Sequence, residues 1–89
     1  MRKHLNITVI GKVQGVFFRA SAKKEAEKLG LCGFAQNVAD GSVYIEVEGI
    51  ENDLDEFVKW CKKGSSQAQV EAIEVKNSSI KNFTQFSIN

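Results

Sequence analysis

Proline is absent from the 89 residues, and the chain holds only two cysteines and one histidine. Without proline, the turns have to be located from glycine and Asx residues. Cys32 and Cys61 are too far apart for a CxxC pair and only His4 could join them, so no metal site is expected. Both cysteines are expected to be reduced, half-buried residues of a cytoplasmic protein, and the sequence leaves a disulfide between them open.

Long apolar runs are absent too. Residues 1–10 alternate apolar with polar side chains and lack a small-residue cleavage site, so neither a signal peptide nor a membrane span is expected. Twelve Lys and Arg residues against eleven Asp and Glu give a net charge of +1. This balance removes the bulk-charge argument for nucleic acid or a membrane surface as a partner. The length and a hydrophobic fraction of 43% predict one folded domain, residues 1–89.

The apolar spacing predicts two helices. From Phe18 the apolar residues recur at helical spacing, and Gly30 stands where a left-handed residue would end the helix. A second apolar stripe at helical spacing ends at Gly64, with Asp53 and Glu56 spaced like a capping box. Both stripes are too narrow for complete burial, so each helix needs a sheet to lie on.

Period-two alternation predicts the strands between and around these helices. The first predicted strand starts at Leu5 and ends near Gly11. The others cover residues 32–37, 43–48 and 70–75, with a short terminal strand at 83–88. The turn at Asp40-Gly41 joins the second and third strands as a β-hairpin. The element order is therefore βαββαβ with a short strand added at the end.

This order predicts an α+β fold. We expect a ferredoxin-like two-layer sandwich, with an antiparallel sheet in the order 4-1-3-2 and two helices on one face. Because this fold carries many unrelated functions, the function has to be inferred from a site.

Positive charge is concentrated in residues 1–24, which hold six Lys and Arg residues and no acid. Within this segment, the run GKVQGVFFR at 11–19 joins the first strand to the first helix. The first amides of a helix have no partner within the helix, and the helix dipole is positive there. Gly15 can adopt a positive φ and Arg19 offers a planar, charged fork, so phosphate binding is one interpretation. The other is a glycine turn with a surface arginine.

Asn37 is the second candidate site residue. The first two strands run parallel with the third between them, so Asn37 is expected at the same sheet edge as the loop that carries Arg19. Its carboxamide could hold a water molecule for attack, or Asn37 could simply form the turn. The loop has no Cys, His or carboxylate, so a covalent mechanism has no candidate residue.

These residues, taken together, resemble the acylphosphatase family. The resemblance rests on the run at 11–19 with its VQGVFFR segment and on Asn37, and it covers nearly the whole chain. The supporting positions are Leu29-Gly30-Leu31, Gly33, Asp40-Gly41-Ser42-Val43 and Glu48-Gly49, and more weakly Ala68, Val70, Phe83, Phe86 and Ile88.

The resemblance implies an enzyme that hydrolyses the carboxyl-phosphate bond of acyl phosphates, without a metal, a cofactor or a covalent intermediate. It implies that Arg19 and Asn37 are catalytic. Arg19 would grip the phosphoryl oxygens and Asn37 would orient the attacking water. It also implies that phosphate is bound at Gln14, Gly15, Val16, Phe17, Phe18 and Arg19. The expected partners are a small-molecule acyl phosphate and inorganic phosphate, as product and inhibitor, with no nucleic acid and no membrane, and the chain is expected to be a monomer.

Three positions depart from the family pattern. Val38 follows Asn37 where many members have Thr, Phe83 stands where Tyr is common, and residues 64–70 lack a proline often found there. The loss of the hydroxyl at Val38 keeps open an alternative, a phosphate-binding module without catalysis. An RNA-binding domain is disfavoured, because acidic residues follow Tyr44 on a strand that should then be basic.

Overall fold

Seven elements follow one another in the computed structural model, which describes all 89 residues. The strands are β1 (Arg2–Lys12), β2 (Cys32–Asn37), β3 (Val43–Ile50), β4 (Gln69–Ser78) and β5 (Phe86–Ile88), and the helices are α1 (Phe18–Lys28) and α2 (Glu51–Lys63). Gly30 follows α1 with a φ of 71°, which confirms the predicted left-handed residue at the end of the helix. Neither helix is long and apolar enough to span a membrane.

The sheet has the order β4-β1-β3-β2-β5, which confirms the predicted 4-1-3-2 arrangement and adds β5 at one edge. β1 pairs antiparallel with β3 and β4, and β3 pairs antiparallel with β2. β5, however, pairs parallel with β2, so the expectation of a wholly antiparallel sheet is wrong at this edge. The physical reason is that residues 79–85 carry the chain across one face of the sheet, from the β4 edge to the β2 edge.

Both helices pack on the other face of the sheet, as predicted. There, Leu5, Ile7 and Val9 of β1 are at most 8% exposed and belong to one apolar cluster with both helices. The helical members of the cluster are Phe18, Ala22, Ala26, Leu54, Phe57 and Cys61. Complete burial of one aliphatic or aromatic side chain stabilises a fold by about 1.5 to 3 kcal/mol, so this layer supplies most of the driving force.

The start of α2 differs from the prediction. The helix begins at Glu51, its N-cap residue is Ile50, and no side chain caps it, so the capping box at Asp53 and Glu56 is wrong. The reason is that β1 and β3 stay paired up to Arg2 and Ile50, and the amide of Glu51 then donates to the carbonyl of Met1. The strand therefore runs directly into the helix, and Asp53 lies inside the first turn.

Both cysteines are free thiols. Cys32 is half-buried as expected, whereas Cys61 is fully buried in the apolar cluster. Burial raises the pKa of the Cys61 thiol, so this side chain acts as a small apolar residue.

The face of the sheet away from the helices, here called the polar face, buries ionisable side chains. His4 and Glu48 are each 1% exposed and Glu46 is 7% exposed. The Nδ1 atom of His4 lies 2.7 Å from Glu48 Oε2, and Nε2 lies 2.9 Å from Glu46 Oε1. One imidazole ring thus joins the carboxyl groups of both glutamates.

Residues 79–85, here called the strap, cover this buried cluster. The amides of Lys81 and Phe83 donate to the two carboxylate oxygens of Glu48, at 2.8 and 2.6 Å. The Nζ atom of Lys81 donates to Glu46 Oε1 at 2.9 Å, and the Phe83 ring stacks on His4 with centroids 5.8 Å apart. These contacts hold the strap on the polar face and so place β5 beside β2.

The buried carboxylates are held ionised by their donors. Burial alone would raise the pKa of Glu48, but hydrogen bonds from His4 and from the strap amides outweigh burial and lower the pKa below its ordinary value of 4.5. Donors on Lys81, Tyr44 and His4 likewise outweigh burial at Glu46 and lower its pKa. A carboxyl group whose pKa is lower when folded than when unfolded stabilises the fold above about pH 4.5. That stabilisation is lost as the pH falls through the folded-state pKa.

We expect the substitution Glu48→Gln to lower the free energy of unfolding at pH 7 by about 3 kcal/mol, because it removes the charged acceptor of a buried hydrogen-bond network. Urea titrations at pH 7 and below pH 4.5 would measure this. The substitution should also reduce the loss of stability in acid. The matched control is Glu56→Gln, whose carboxylate is largely exposed and lies 3.6 Å from Lys59. If Glu48→Gln and the wild type lost the same free energy of unfolding between pH 7 and the acid condition, the role given to Glu48 would be contradicted.

Candidate functional site

The junction between β1 and α1, residues 13–19, carries amides without partners. Each backbone N–H from Gln14 to Arg19 donates no hydrogen bond to any other group of the chain. The first intact bond of the helix is from the amide of Ser21 to the carbonyl of Phe17. An anion is the natural partner for such amides, because the helix dipole places positive potential at the same point.

The sign of φ alternates along the backbone of the junction. Gly15 has a φ of 74° and Phe17 a φ of 63°, whereas Gln14, Val16 and Phe18 have negative φ. Residues of positive φ within such a stretch turn neighbouring N–H groups toward one concave side, as in an anion nest. The positive φ expected at Gly15 is therefore confirmed, and Phe17 adds a second one that the sequence did not predict.

Two side-chain hydrogen bonds fix the junction to the rest of the fold. The Nε2 group of Gln14 donates to the carbonyl of Val38 at 2.7 Å and to that of Ser42 at 2.9 Å. The hydroxyl of Ser65 donates to the carbonyl of Val16 at 2.7 Å. The junction is thus attached to the hairpin turn on one side and to the loop after α2 on the other.

Arg19 lies in the first turn of α1, and its guanidinium reaches the edge of the sheet. Its Nη1 group donates to the backbone oxygen of Asn89 at 3.0 Å. An arginine has five N–H donors, so this bond orients the guanidinium and leaves other donors for a ligand. Acidic side chains make no ion pair with Arg19.

Asn37 is the last residue of β2 and lies at the end of the sheet where β1 leads into the junction. Cross-strand pairing places it opposite Val43, and Val43 opposite Val9, so the three residues form one row on the helix-covered face. Unlike the two valines, Asn37 is exposed, and its side chain makes no hydrogen bond within the chain. The Gln14 bond to Val38, the next residue, joins this row to the junction.

A cavity of about 270 Å³ opens beside the junction. It is lined by Val13, Gly15, Phe17, Phe18, Arg19, Ala20 and Ile88. Of the predicted site residues it therefore brings together Gly15, Phe17, Phe18 and Arg19. Gln14 and Asn37 lie outside its lining, and Val16 is only 5% exposed, packed in the core. A larger cavity of about 490 Å³ lies between β1, β4 and α2 and contains none of the predicted residues.

Sequence reasoning missed three contributors to this site. Gln14 was expected to contribute only its backbone amide, and the two hydrogen bonds of its side chain were missed. A polar residue in an otherwise apolar loop is a signal for such a specific hydrogen bond. Ile88 and Asn89 reach the site only because β5 lies beside β2, which no local pattern predicts. Nowhere does the fold group three His, Cys, Asp or Glu side chains as metal ligands.

Fold and site together define a ferredoxin-like α+β domain with unpaired amides and an arginine at the start of its first helix. The sequence pattern of the acylphosphatase family matches residues 5–88. An acylphosphatase from Alkalilimnicola ehrlichii is 48% identical over 75 residues, which are 84% of this chain and 84% of that protein. The chain belongs to the acylphosphatase family.

Solved structures agree with this membership. The crystal structure of acylphosphatase from Bacillus subtilis matches with a TM-score of 0.95 at 42% identity, covering 100% of this chain and 99% of that chain. The structure of an acylphosphatase from Coxiella burnetii matches with a TM-score of 0.96 at 32% identity, covering 99% and 93% of the two chains.

We expect Gln14→Leu to lower the free energy of unfolding by about 1 to 2 kcal/mol, because it removes two hydrogen bonds worth about 1 kcal/mol each. Urea titration would measure the change. Gln67→Leu, the same substitution at an exposed position of the loop after α2, is the control and should change stability by less than about 0.5 kcal/mol. Equal effects at the two positions would show that the bonds from Gln14 do not hold the junction.

Proposed function

We propose that the chain hydrolyses acyl phosphates to a carboxylate and inorganic phosphate, with Arg19 and the junction amides binding the phosphoryl group and Asn37 orienting the attacking water. The observation that carries this proposal is the run of unpaired amides from Gln14 to Arg19. Membership of the acylphosphatase family supports the reaction, and the geometry of the junction supports the assignment of residues to it.

The phosphoryl group binds at the start of α1. The amides of Gln14, Gly15, Val16, Phe17, Phe18 and Arg19 are the available donors, and two residues of positive φ curve this stretch into a nest. Arg19 supplies a charge that no acidic side chain neutralises. Such preorganised donors stabilise the charge that develops on the phosphoryl oxygens in the transition state.

Water attacks the phosphorus atom directly. The oxygen of water forms a bond to phosphorus while the bond from phosphorus to the acyl oxygen breaks, and the carboxylate leaves with the electron pair. The proton of the water passes to a phosphoryl oxygen of the substrate, so the protein needs no general base. Asn37 fits the positioning role, because its carboxamide is exposed and makes no hydrogen bond within the chain, and because the next residue, Val38, accepts a hydrogen bond from Gln14 of the junction.

We also propose that the chain acts as a cytoplasmic monomer. Two free cysteines are compatible with a reducing compartment. Arg19, the junction and Asn37 all belong to one chain, so the proposed site needs no second subunit. The polar face supports the absence of a nucleic-acid partner, because the strap covers it at Glu46 and Glu48, where bases would have to stack on the sheet.

Two substitutions separate binding from positioning. Arg19→Ala should weaken the inhibition by inorganic phosphate by roughly 10- to 100-fold and remove turnover, because a charge-assisted hydrogen bond contributes about 1.5 to 3 kcal/mol. Asn37→Ala should lower kcat by about 100-fold, as for the loss of a positioned polar group, and leave phosphate inhibition largely unchanged. Steady-state hydrolysis of benzoyl phosphate in the presence of EDTA, with phosphate as competitor, measures both effects.

The matched controls are Lys24→Ala, which removes an exposed charge from the same helix, and Asn52→Ala, at the start of α2. Both should behave like wild type. A large loss of phosphate affinity in Asn37→Ala would contradict its role in orienting water. Phosphate binding by wild type without turnover would instead identify a binding module, the alternative that Val38 keeps open.

A further inference from the structure

Phe17 is placed where folding alone does not favour it. Its side chain is 72% exposed, and its backbone has a φ of 63°. A left-handed backbone is strained for a residue with a Cβ atom, and an exposed aromatic ring contributes no hydrophobic stabilisation to offset that strain. A strained, exposed aromatic residue that no packing contact explains points to a role in binding.

The position of Phe17 indicates what it would bind. It lines the 270 Å³ cavity together with Arg19, and Ile88, which is 41% exposed, lines the same cavity. Val13, Gly15, Phe18 and Ala20 complete the wall. The cavity therefore has one cationic side chain and an otherwise apolar wall, and a phosphate ion alone would leave that wall in contact with water.

An acyl phosphate has two ends that match this arrangement. With the phosphoryl group on the junction amides and Arg19, the acyl group extends along the wall formed by Phe17 and Ile88. A water molecule takes up about 30 Å³, so the cavity has room for the phosphoryl group and a short or single-ring acyl group. An apolar acyl group removes the wall from water, whereas a polar group gains no hydrogen bond from it.

We propose that Phe17 and Ile88 form an acyl subsite that selects acyl phosphates with an aromatic or aliphatic acyl group over those with a polar one. This inference rests on the proposed function. Phe17 and Ile88 are specificity-determining residues, since they touch the acyl group and take no part in the transfer of the phosphoryl group. Because their contact is the same in the bound substrate and in the transition state, it acts on KM rather than on kcat.

The test compares three substrates: benzoyl, acetyl and carbamoyl phosphate. The last two have almost the same size and differ by a methyl against an amino group. The variants are Phe17→Asn, since asparagine tolerates the left-handed backbone, and Ile88→Ala. Val75→Ala, which shortens another exposed apolar side chain on β4, is the control and should leave all three substrates unchanged.

We expect Phe17→Asn to lower kcat/KM for benzoyl phosphate about tenfold more than for carbamoyl phosphate, mainly through KM. Ile88→Ala should change the same ratio in the same direction and less strongly. Calorimetry gives a readout without turnover: phenylphosphonate should bind wild type more tightly than methylphosphonate does, and Phe17→Asn should reduce this difference.

The outcomes separate the two proposals. Turnover by wild type with equal losses for all three substrates in both variants would overturn the acyl subsite and keep the proposed function. No turnover of any substrate by wild type would overturn the proposed function. If Phe17→Asn does not fold, unchanged substrate ratios in Ile88→Ala together with equal binding of the two phosphonates by wild type would still overturn the subsite.

Discussion

The register of the three central strands is the constraint on which the rest of the site depends. Val9, Val43 and Asn37 occupy one row across β1, β3 and β2, and β1 runs into the junction a few residues later. A shift of one residue would move Asn37 to the polar face, because successive side chains of a strand point to opposite faces. The apolar partners Ile7 and Ile45 of the neighbouring row, both fully buried, prevent such a shift.

The two faces of the sheet serve the site in different ways. The helix face buries an apolar layer that fixes where α1 begins and hence where the junction amides lie. The polar face anchors the strap through Glu48, and the strap leads to β5, whose neighbour Asn89 accepts a hydrogen bond from Arg19. A buried ionic cluster on one side of the sheet is thus connected by the chain to the arginine at its edge.

Local patterns were sufficient to predict most of the fold. Helical spacing located α1 and α2, and alternation around Asp40-Gly41 located the hairpin, because each pattern reflects burial within one element. Long-range contacts were not predictable in this way. The parallel pairing of β5, the partners of His4 and the bonds from Gln14 join residues that are 24 or more positions apart. Arg19 and Asn37 were candidates from the sequence and took their catalytic roles from the family resemblance, and only the structure showed the amides of residues 14–19 to be unpaired.

The most direct measurement is a titration of the 15N-labelled protein with inorganic phosphate, followed by the backbone amide resonances. We expect saturable shifts that are largest at Gly15 to Arg19, because these N–H groups have no partner in the chain and would gain one. Shifts that concentrate on the strap or on α2, or that do not saturate, would contradict phosphate binding at the start of α1.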